Sequence, residues 1–455
     1  MGVKDVLEKV QLNRRQLFQA SIGLTAALKT TACGHLGSVP HRSLAADPFG
    51  LPWSGSFPLG LSVGDVTTQS ARVVSRYLGS TSAELRVLEQ QMDGSLTPIM
   101  ASPMVTNDGG FISADVSGLQ PSRRYVYAFL EADQNGEMRG RSVVGQFKTP
   151  PPDNATPPLL ITASSCARQR FGFDTLARAA EVDADLHVLL GDTSYNDGCL
   201  NMQEFRSKWA SSLEREEYVL LRSATSVIAA WDDHEVQNNW EPSRLTPEVI
   251  EAGQKAFLEH VPVRMPARDR FSIYRSVKWG GTAEFFILDL YSEQDRANNR
   301  FISQEQLDWL INGVQASTAV FKVIVNSIPI SNTTPPFHVF REGRWEGFSD
   351  QREDLLNRLE KTGVPGIFFI AGDVHMPVIG HVDRHAPGQN FWEIMVGPAA
   401  HAVNPLWVTM GPPQFEWAGS FVNIAAMRFE PATREVTVSF IDKDGDVRVT
   451  RTLAL

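Results

Sequence analysis

The stretch Leu186–Gly198, LHVLLGDTSYNDG, decides how the rest of the chain is read. A short apolar run stops at Gly191-Asp192, and Tyr195 follows the aspartate by three places. Continuous apolar runs of this length read as strands buried on both faces. A Gly-Asp after one strand is weak by itself, because turns favour both residues. The ending recurs, however. LLITASSC closes on Cys166, SVIAAWDDHE on Asp232, Asp233, His234 and Glu235, and GIFFIAGDVH on Asp373 and His375, while KVIVNSI offers Asn326. In open α/β sheets, sites form outside the carboxyl ends of the strands. Polar residues from distant parts of the chain then converge on one cleft.

The chain has 455 residues, enough for two or three domains. Hydrophobic residues make up 42% and charged residues 21%, an ordinary soluble composition. A net charge of −10 and a pI near 5.5 argue against a surface that binds nucleic-acid backbones. A small anionic substrate stays open, since a buried cation reverses the local field. Three cysteines, Cys33, Cys166 and Cys199, make no disulfide scaffold.

From Phe57 to Lys148 short apolar-polar alternations are spaced by turn residues, the pattern of β-strands. Within them LQPSRRY places Leu119, Pro121 and Tyr125 as L-x-P-x-x-x-Y, which resembles the tyrosine corner of immunoglobulin-like and fibronectin-type sandwiches. Residues 47–155 are therefore expected to form a β-sandwich domain, with TPPPDNATPP (149–158) marking its boundary. Residues 156–455 read as an α/β domain, with helical patterns in GFDTLARAAEV and SQEQLDWLINGVQAS. Ser303 and Gln306 are spaced as a capping box. The last segment reads as antiparallel strands with a D-G turn.

Residues 1–46 look like an address. Arg14-Arg15 with Phe18, in NRRQLF, precedes a mildly apolar stretch too polar to span a membrane. The arrangement resembles a twin-arginine export signal, with SLAA (Ser43 to Ala46) as the cut. It predicts a periplasmic or secreted protein, the twin-arginine machinery as a partner, and no transmembrane span in the mature chain. An amphipathic N-terminal helix is the alternative. Cys33 as a lipid anchor is disfavoured by Thr30, where such sites usually carry Leu.

Taken together, G-D-x-x-Y, W-D-D-H-E and G-D-x-H resemble the calcineurin-like metallophosphoesterases, and more narrowly the alkaline phosphatase D (PhoD)-like family. FPLGLSVGDV, YRSVKWGG with FFILDL, and ISQEQLDWL extend the likeness over nearly the whole chain after residue 46. The resemblance implies an αββα metallophosphatase core, hydrolysis of phosphomonoesters and phosphodiesters for phosphate scavenging, and iron (Fe3+) with calcium (Ca2+) as cofactors.

The residues themselves carry a parallel reading. Two cations need a bridging ligand, and Asp192 is the natural bridge. Cys166 as thiolate, Tyr195 as phenolate and His375 as imidazole suit a strongly Lewis-acidic metal such as ferric iron. The second side draws on Asp192, Asp233, Asp373 and an asparagine, Asn239 or Asn326; its oxygens suit calcium, magnesium or manganese. His234 becomes the candidate general acid, or donor to the phosphate. Arg168, two residues past Cys166, can clamp phosphate oxygens of a small phosphate ester.

Blander readings compete. Cys166 alone reads as a buried small hydrophobe, or as a disulfide partner of Cys199. His381 and His385 read as loop residues, and His401 as a residue near the cleft. One rival function is a Cys–His nucleophilic hydrolase using Cys166 and His234. It leaves Asp192, Tyr195, Asp373 and His375 without a task. The other is a non-catalytic envelope-binding protein with a decayed core, yet every motif position holds a competent ligand.

Overall fold

A computed structural model describes residues 48–268, 271–331, 343–404 and 413–455. The twin-arginine pair, Cys33 and the Ser43 to Ala46 site lie outside the described residues, as do residues 332–342 of the NTTPPFHVFREGRWEGFSD stretch.

The front of the chain is all β: β1 (Leu61–Gly64), β2 (Ser70–Arg76), β3 (Ala83–Gln90), β4 (Leu96–Met104), β5 (Phe111–Ser117), β6 (Arg124–Ala132), β7 (Met138–Arg141) and β8 (Gly145–Lys148). An α/β region follows: β9 (Leu159–Ser164), α1 (Asp174–Glu181), β10 (Leu186–Leu190), α2 (Met202–Leu213), α3 (Glu216–Ala224), β11 (Ser226–Ala230), α4 (Pro247–His260), β12 (Arg275–Trp279), β13 (Ala283–Ile287), α5 (Gln304–Ala316), β14 (Phe321–Val325), α6 (Ser349–Thr362), β15 (Ile367–Ala371), β16 (Val378–His381), β17 (Trp392–Met395) and β18 (Phe415–Ala418). The chain closes on the meander β19 (Asn423–Glu430), β20 (Glu435–Asp442) and β21 (Val447–Ala454).

Two sheets build the core. One runs β21-β20-β19-β9-β10-β11-β1-β2-β5, the other β12-β13-β14-β15-β17-β16-β18. Within the first, β9, β10 and β11 are parallel neighbours, as are β13, β14, β15 and β17 in the second. Side chains alternate across each strand. Leu186, Val188 and Leu190 join Phe285, Val323, Ile370 and Ile394 in the core between the sheets. Leu189, Val227, Phe286, Ile324 and Phe369 turn outward into a core that includes Trp209, Phe257, Leu310 and Leu355 of the helices. Helices thus cover both outer faces of a two-sheet α/β fold, which is why the strands read as unbroken apolar runs.

The front strands also form two facing sheets around one core. β4-β3-β6-β7, with β8 on β6, contributes Leu85, Val87, Tyr125, Tyr127 and Phe147. The other face is β1, β2 and β5, with Leu61, Val63, Val73 and Val116. Tyr125 Oη accepts from Gln120 N at 2.7 Å, the bond a tyrosine corner makes.

The sequence divides the chain near residue 155, but β1 pairs in parallel with β11, so the front β1-β2-β5 strands continue the core sheet. A Cβ at Gly64 would meet Val227 O at 2.6 Å and Pro262 O at 2.8 Å, so this close approach requires glycine. Asp65 then bonds Arg275 of β12 through both oxygens, at 2.9 and 2.8 Å. Among the described residues no helix is long and apolar enough to cross a membrane.

Candidate active site

β9, β10 and β11 of one sheet and β14 and β15 of the other end on the same side, and the loops that follow them carry the candidate residues. Nine non-glycine residues among those described have positive φ, and five are Cys166, Asp192, Asn239, Asp373 and His375. Left-handed backbone is costly for such residues and clusters where function demands it. At the end of β10, Gly191 (φ 99°) precedes Asp192 (φ 56°). A Cβ on Gly191 would lie 2.6 Å from Asp232 Cβ, so only glycine lets the β10 and β11 loops meet.

These loops are laced together. The buried Glu235 carboxylate accepts from Asp192 N (3.0 Å), Thr193 N (2.6 Å) and Asp232 N (2.9 Å). Asn196 N donates to His234 O and Asn196 Nδ2 to Glu235 O, both at 2.9 Å. The β10 turn is thereby held by the β11 loop.

Two ligand groups result. Cys166, Asp192 and His375 form one, and Asp192, Asp233 and His234 the other; within each, donor atoms lie within 4.8 Å of one another. Asp192 belongs to both, and its Oδ1 is buried with no hydrogen-bond partner among the described residues. Tyr195 joins the first group, donating its phenol proton to Asp192 Oδ2 at 2.9 Å. Asn239 N donates to Asp233 Oδ2 at 2.6 Å, so Asn239 holds Asp233 through its main chain. Asp373 closes neither group; a third of its side chain is exposed, and its Oδ2 lies 3.6 Å from Arg344 Nη1. Asn326 is fully buried, with its Oδ1 accepting from Trp345 Nε1 at 3.3 Å.

Electrostatics separates the two site histidines. Burial pushes His375 down to about 4, with the His234 and Arg168 charges adding, so it stays neutral as a ligand must. Burial also opposes a charged His234, but Asp192, Asp233 and Asp197 outweigh it and hold this imidazolium up to about 10. His234 Nδ1 is 2.8 Å from both Asp197 oxygens, while Nε2 lies 4.0 Å from Asp233 Oδ1. The ring is thus held on one side and faces the carboxylates with the other. Arg168 stands 5.4 Å over the Tyr195 ring, with Nη1 3.5 Å from His401 Nε2. His401 packs 4.0 Å from the His375 ring, and so lines the site.

The anionic donors are frustrated as they stand. Burial pushes the Cys166 thiol well up, and Asp192 adds to it. Burial likewise raises Asp192, Asp232, Asp233 and Tyr195, with neighbouring carboxylates adding in each case. Desolvated acids this close hold protons unless a cation compensates them. Soft donors on one side, oxygens on the other and an orphaned Asp192 oxygen fit a two-cation site. A thiol whose proton is held this firmly is the opposite of an activated nucleophile. Among the described residues Cys166 and Cys199 are both free thiols, so they do not pair with each other.

Asp197, Glu235, Arg344 and Trp345 escaped assignment from the sequence. Asp197 lies inside the opening stretch and Glu235 beside His234, but their tasks need the two loops in contact. Arg344 and Trp345 carry no local signal.

A family model described as PhoD-like phosphatase matches residues 160–410. Alkaline phosphatase D of Bacillus subtilis (strain 168) is 25% identical over 328 residues, covering 61% of this chain and 54% of that protein. The chain thus spans about half the length of this curated relative. The solved structure titled "Structure of PhoD" superimposes with a TM-score of 0.74 at 19% identity, covering 90% of this chain and 94% of its own. A purple acid phosphatase from yellow lupin seeds gives 0.63 at 15% identity, covering 87% and 73%. These two establish likeness of fold.

Proposed function

The chain belongs to the PhoD-like phosphatase family, and from that premise we propose that it hydrolyses phosphomonoesters, phosphodiesters or both at a two-cation centre bridged by Asp192. The observation that carries the reading is the pair of ligand groups sharing that residue. Cys166, Tyr195, His375 and Asp192 would hold ferric iron; Asp192 and Asp233 would hold calcium, magnesium or manganese, joined by Asp373 once its carboxylate turns from Arg344 to the centre. When bound, such cations supply the positive charge that lowers the pKa of water and neutralises phosphoryl oxygens.

The chain's own groups do the rest. Arg168 binds phosphate oxygens beside Tyr195. His234, held through Nδ1 by Asp197, donates a proton from Nε2 to the leaving oxygen. Glu235 keeps the Asp192 turn rigid through three main-chain N–H groups. Phosphate scavenging after twin-arginine export, in the periplasm or outside the cell, completes the reading. Residues 47–155 act as an immunoglobulin- or fibronectin-like module sharing a sheet with the catalytic region of residues 156–455.

The test is hydrolysis of p-nitrophenyl phosphate and bis-p-nitrophenyl phosphate by the full chain, before and after chelation. Activity lost on chelation and restored by iron with a divalent cation supports the reading. Turnover by a metal-free chain defeats it.

A further inference from the structure

Three consecutive residues, Gly343, Arg344 and Trp345, reach three different loops of the site. Asn239 Oδ1 fills the space beside Gly343, 2.5 Å from where a Cβ would stand. Arg344 Nη1 approaches Asp373 Oδ2. Trp345 Nε1 donates to Asn326 Oδ1. The last contact fixes an orientation. An indole N–H only donates, so the atom of Asn326 that faces it is the amide oxygen. The amide NH2 is therefore turned the other way.

That NH2 group is an anomaly. Asn326 is fully buried, yet Nδ2 has no acceptor among the described residues. Such groups are normally satisfied, and leaving one orphaned forfeits its hydration without return. Acceptors are not scarce nearby. Asn326 N donates to Ile370 O of β15, the strand that leads to Asp373, and Ser327 Oγ donates to Asp232 Oδ1. The amide is also well anchored, since Trp345 is itself fully buried.

We propose that Asn326 serves as a hydrogen-bond donor to a phosphoryl oxygen of the substrate, rather than as a metal ligand through its oxygen, and that Trp345 is the positioning residue that sets the amide this way round. The inference rests on the phosphate-ester reading above. An amide oxygen has two lone pairs, but here the unsatisfied atom is the nitrogen, and a nitrogen-bound proton calls for an anion. A tetrahedral oxyanion between the strand ends supplies it, with no proton transfer required.

The experiment uses the metal-loaded full chain and reads two quantities, metals per chain by elemental mass spectrometry and inhibition by inorganic phosphate. Asn326→Asp and Asn326→Ala should keep the wild-type metal content and weaken phosphate inhibition about 10- to 100-fold, the usual effect of removing one hydrogen bond to a charged group. Trp345→Phe keeps one aromatic ring and removes the N–H together with the second ring of the indole; it should keep the metals and weaken phosphate several-fold, because the amide is then free to turn. It carries the test alone should the Asn326 variants fail to fold. Loss of a metal in Asn326→Ala overturns the inference in favour of a ligand role. Wild-type phosphate inhibition in all variants that fold overturns it as well. A wild-type chain that loads no metal and ignores phosphate overturns the phosphoesterase reading and this inference together.

Discussion

Replacing Glu235 by glutamine tests how the Asp192 turn is held. The Glu235 side chain is fully buried; Oε2 accepts from Asp192 N and Asp232 N, and Oε1 from Thr193 N. A glutamine can present an oxygen to one side only. If it keeps the Asp192 and Asp232 bonds, its NH2 faces the Thr193 N–H and leaves that amide unpaired. One orphaned buried amide costs about 1–3 kcal/mol, and the two remaining bonds lose their charge assistance, so the variant should lose roughly 2–4 kcal/mol. Glu235→Ala orphans all three amides and should lose more, about 3–6 kcal/mol. Because two of the amides belong to Asp192 and Thr193, the disturbance falls on the proposed bridge. Removing groups that orient ligands typically weakens metal binding about 10- to 100-fold. Guanidinium unfolding of the metal-stripped protein measures the first effect, and competition with a chelator of known affinity measures the second. A Glu235→Gln protein as stable as wild type, with unchanged metal affinity, refutes the reasoning.

Three further outcomes follow from the same structure. His234→Asn should retain its metals while turnover falls about 10²- to 10⁴-fold, the range for a lost general acid; elemental analysis beside kinetics separates this from a ligand role. Asp65→Asn breaks the bidentate pair with Arg275, whose side chains are 6% and 8% exposed; leaving Arg275 without its countercharge should cost about 3–5 kcal/mol in denaturant unfolding. Buried between Thr162 and Ser164, His187 is pushed down by burial to about 3. Its folded pKa lies below that of the unfolded chain, so the unfolded state takes up the proton first, and stability is complete above the unfolded value of about 6.5. As pH falls from there towards 3, this residue should remove up to about 1.4 kcal/mol per pH unit, and His187→Asn should flatten the acid limb of a stability-against-pH curve.

What the sequence made legible follows from how the strands are buried. IFFIA is apolar throughout, and LHVLL apart from His187, because helices cover one face and a second sheet the other. A polar residue at the end of such a run therefore stands out, and Cys166, Asp192, Asp233 and His375 were readable for that reason. The union of β1 with β11 was not readable. It joins residues far apart in the chain, and its only local trace is Gly64, which looks like any turn glycine. Ser303 caps α5 as its spacing suggests, accepting from Gln306 N at 3.1 Å. The Gln306 side chain does not return the bond; it accepts from Asp289 N and donates to Asp289 O, a tertiary use that a capping-box spacing does not reveal. His381 reads as a loop residue but ends β16, beside Trp392. Asp373 carries the right motif, yet whether its carboxylate turns to the centre or to Arg344 depends on a residue 29 positions earlier. Asp197 and Trp345 act through other residues, so no motif announces them; Glu235 closes W-D-D-H-E, but its task shows only with the β10 turn against it.

The central claim is that Asp192 bridges two cations, with Tyr195, Cys166 and His375 around the more Lewis-acidic one. The most direct test is elemental mass spectrometry of the protein purified from a twin-arginine-competent host, with a visible spectrum of the same sample. The account predicts about one iron per chain plus a divalent cation, and a tyrosinate-to-iron charge-transfer band that vanishes in Tyr195→Phe. A colourless, metal-free protein that turns over phosphate esters at full rate would contradict it.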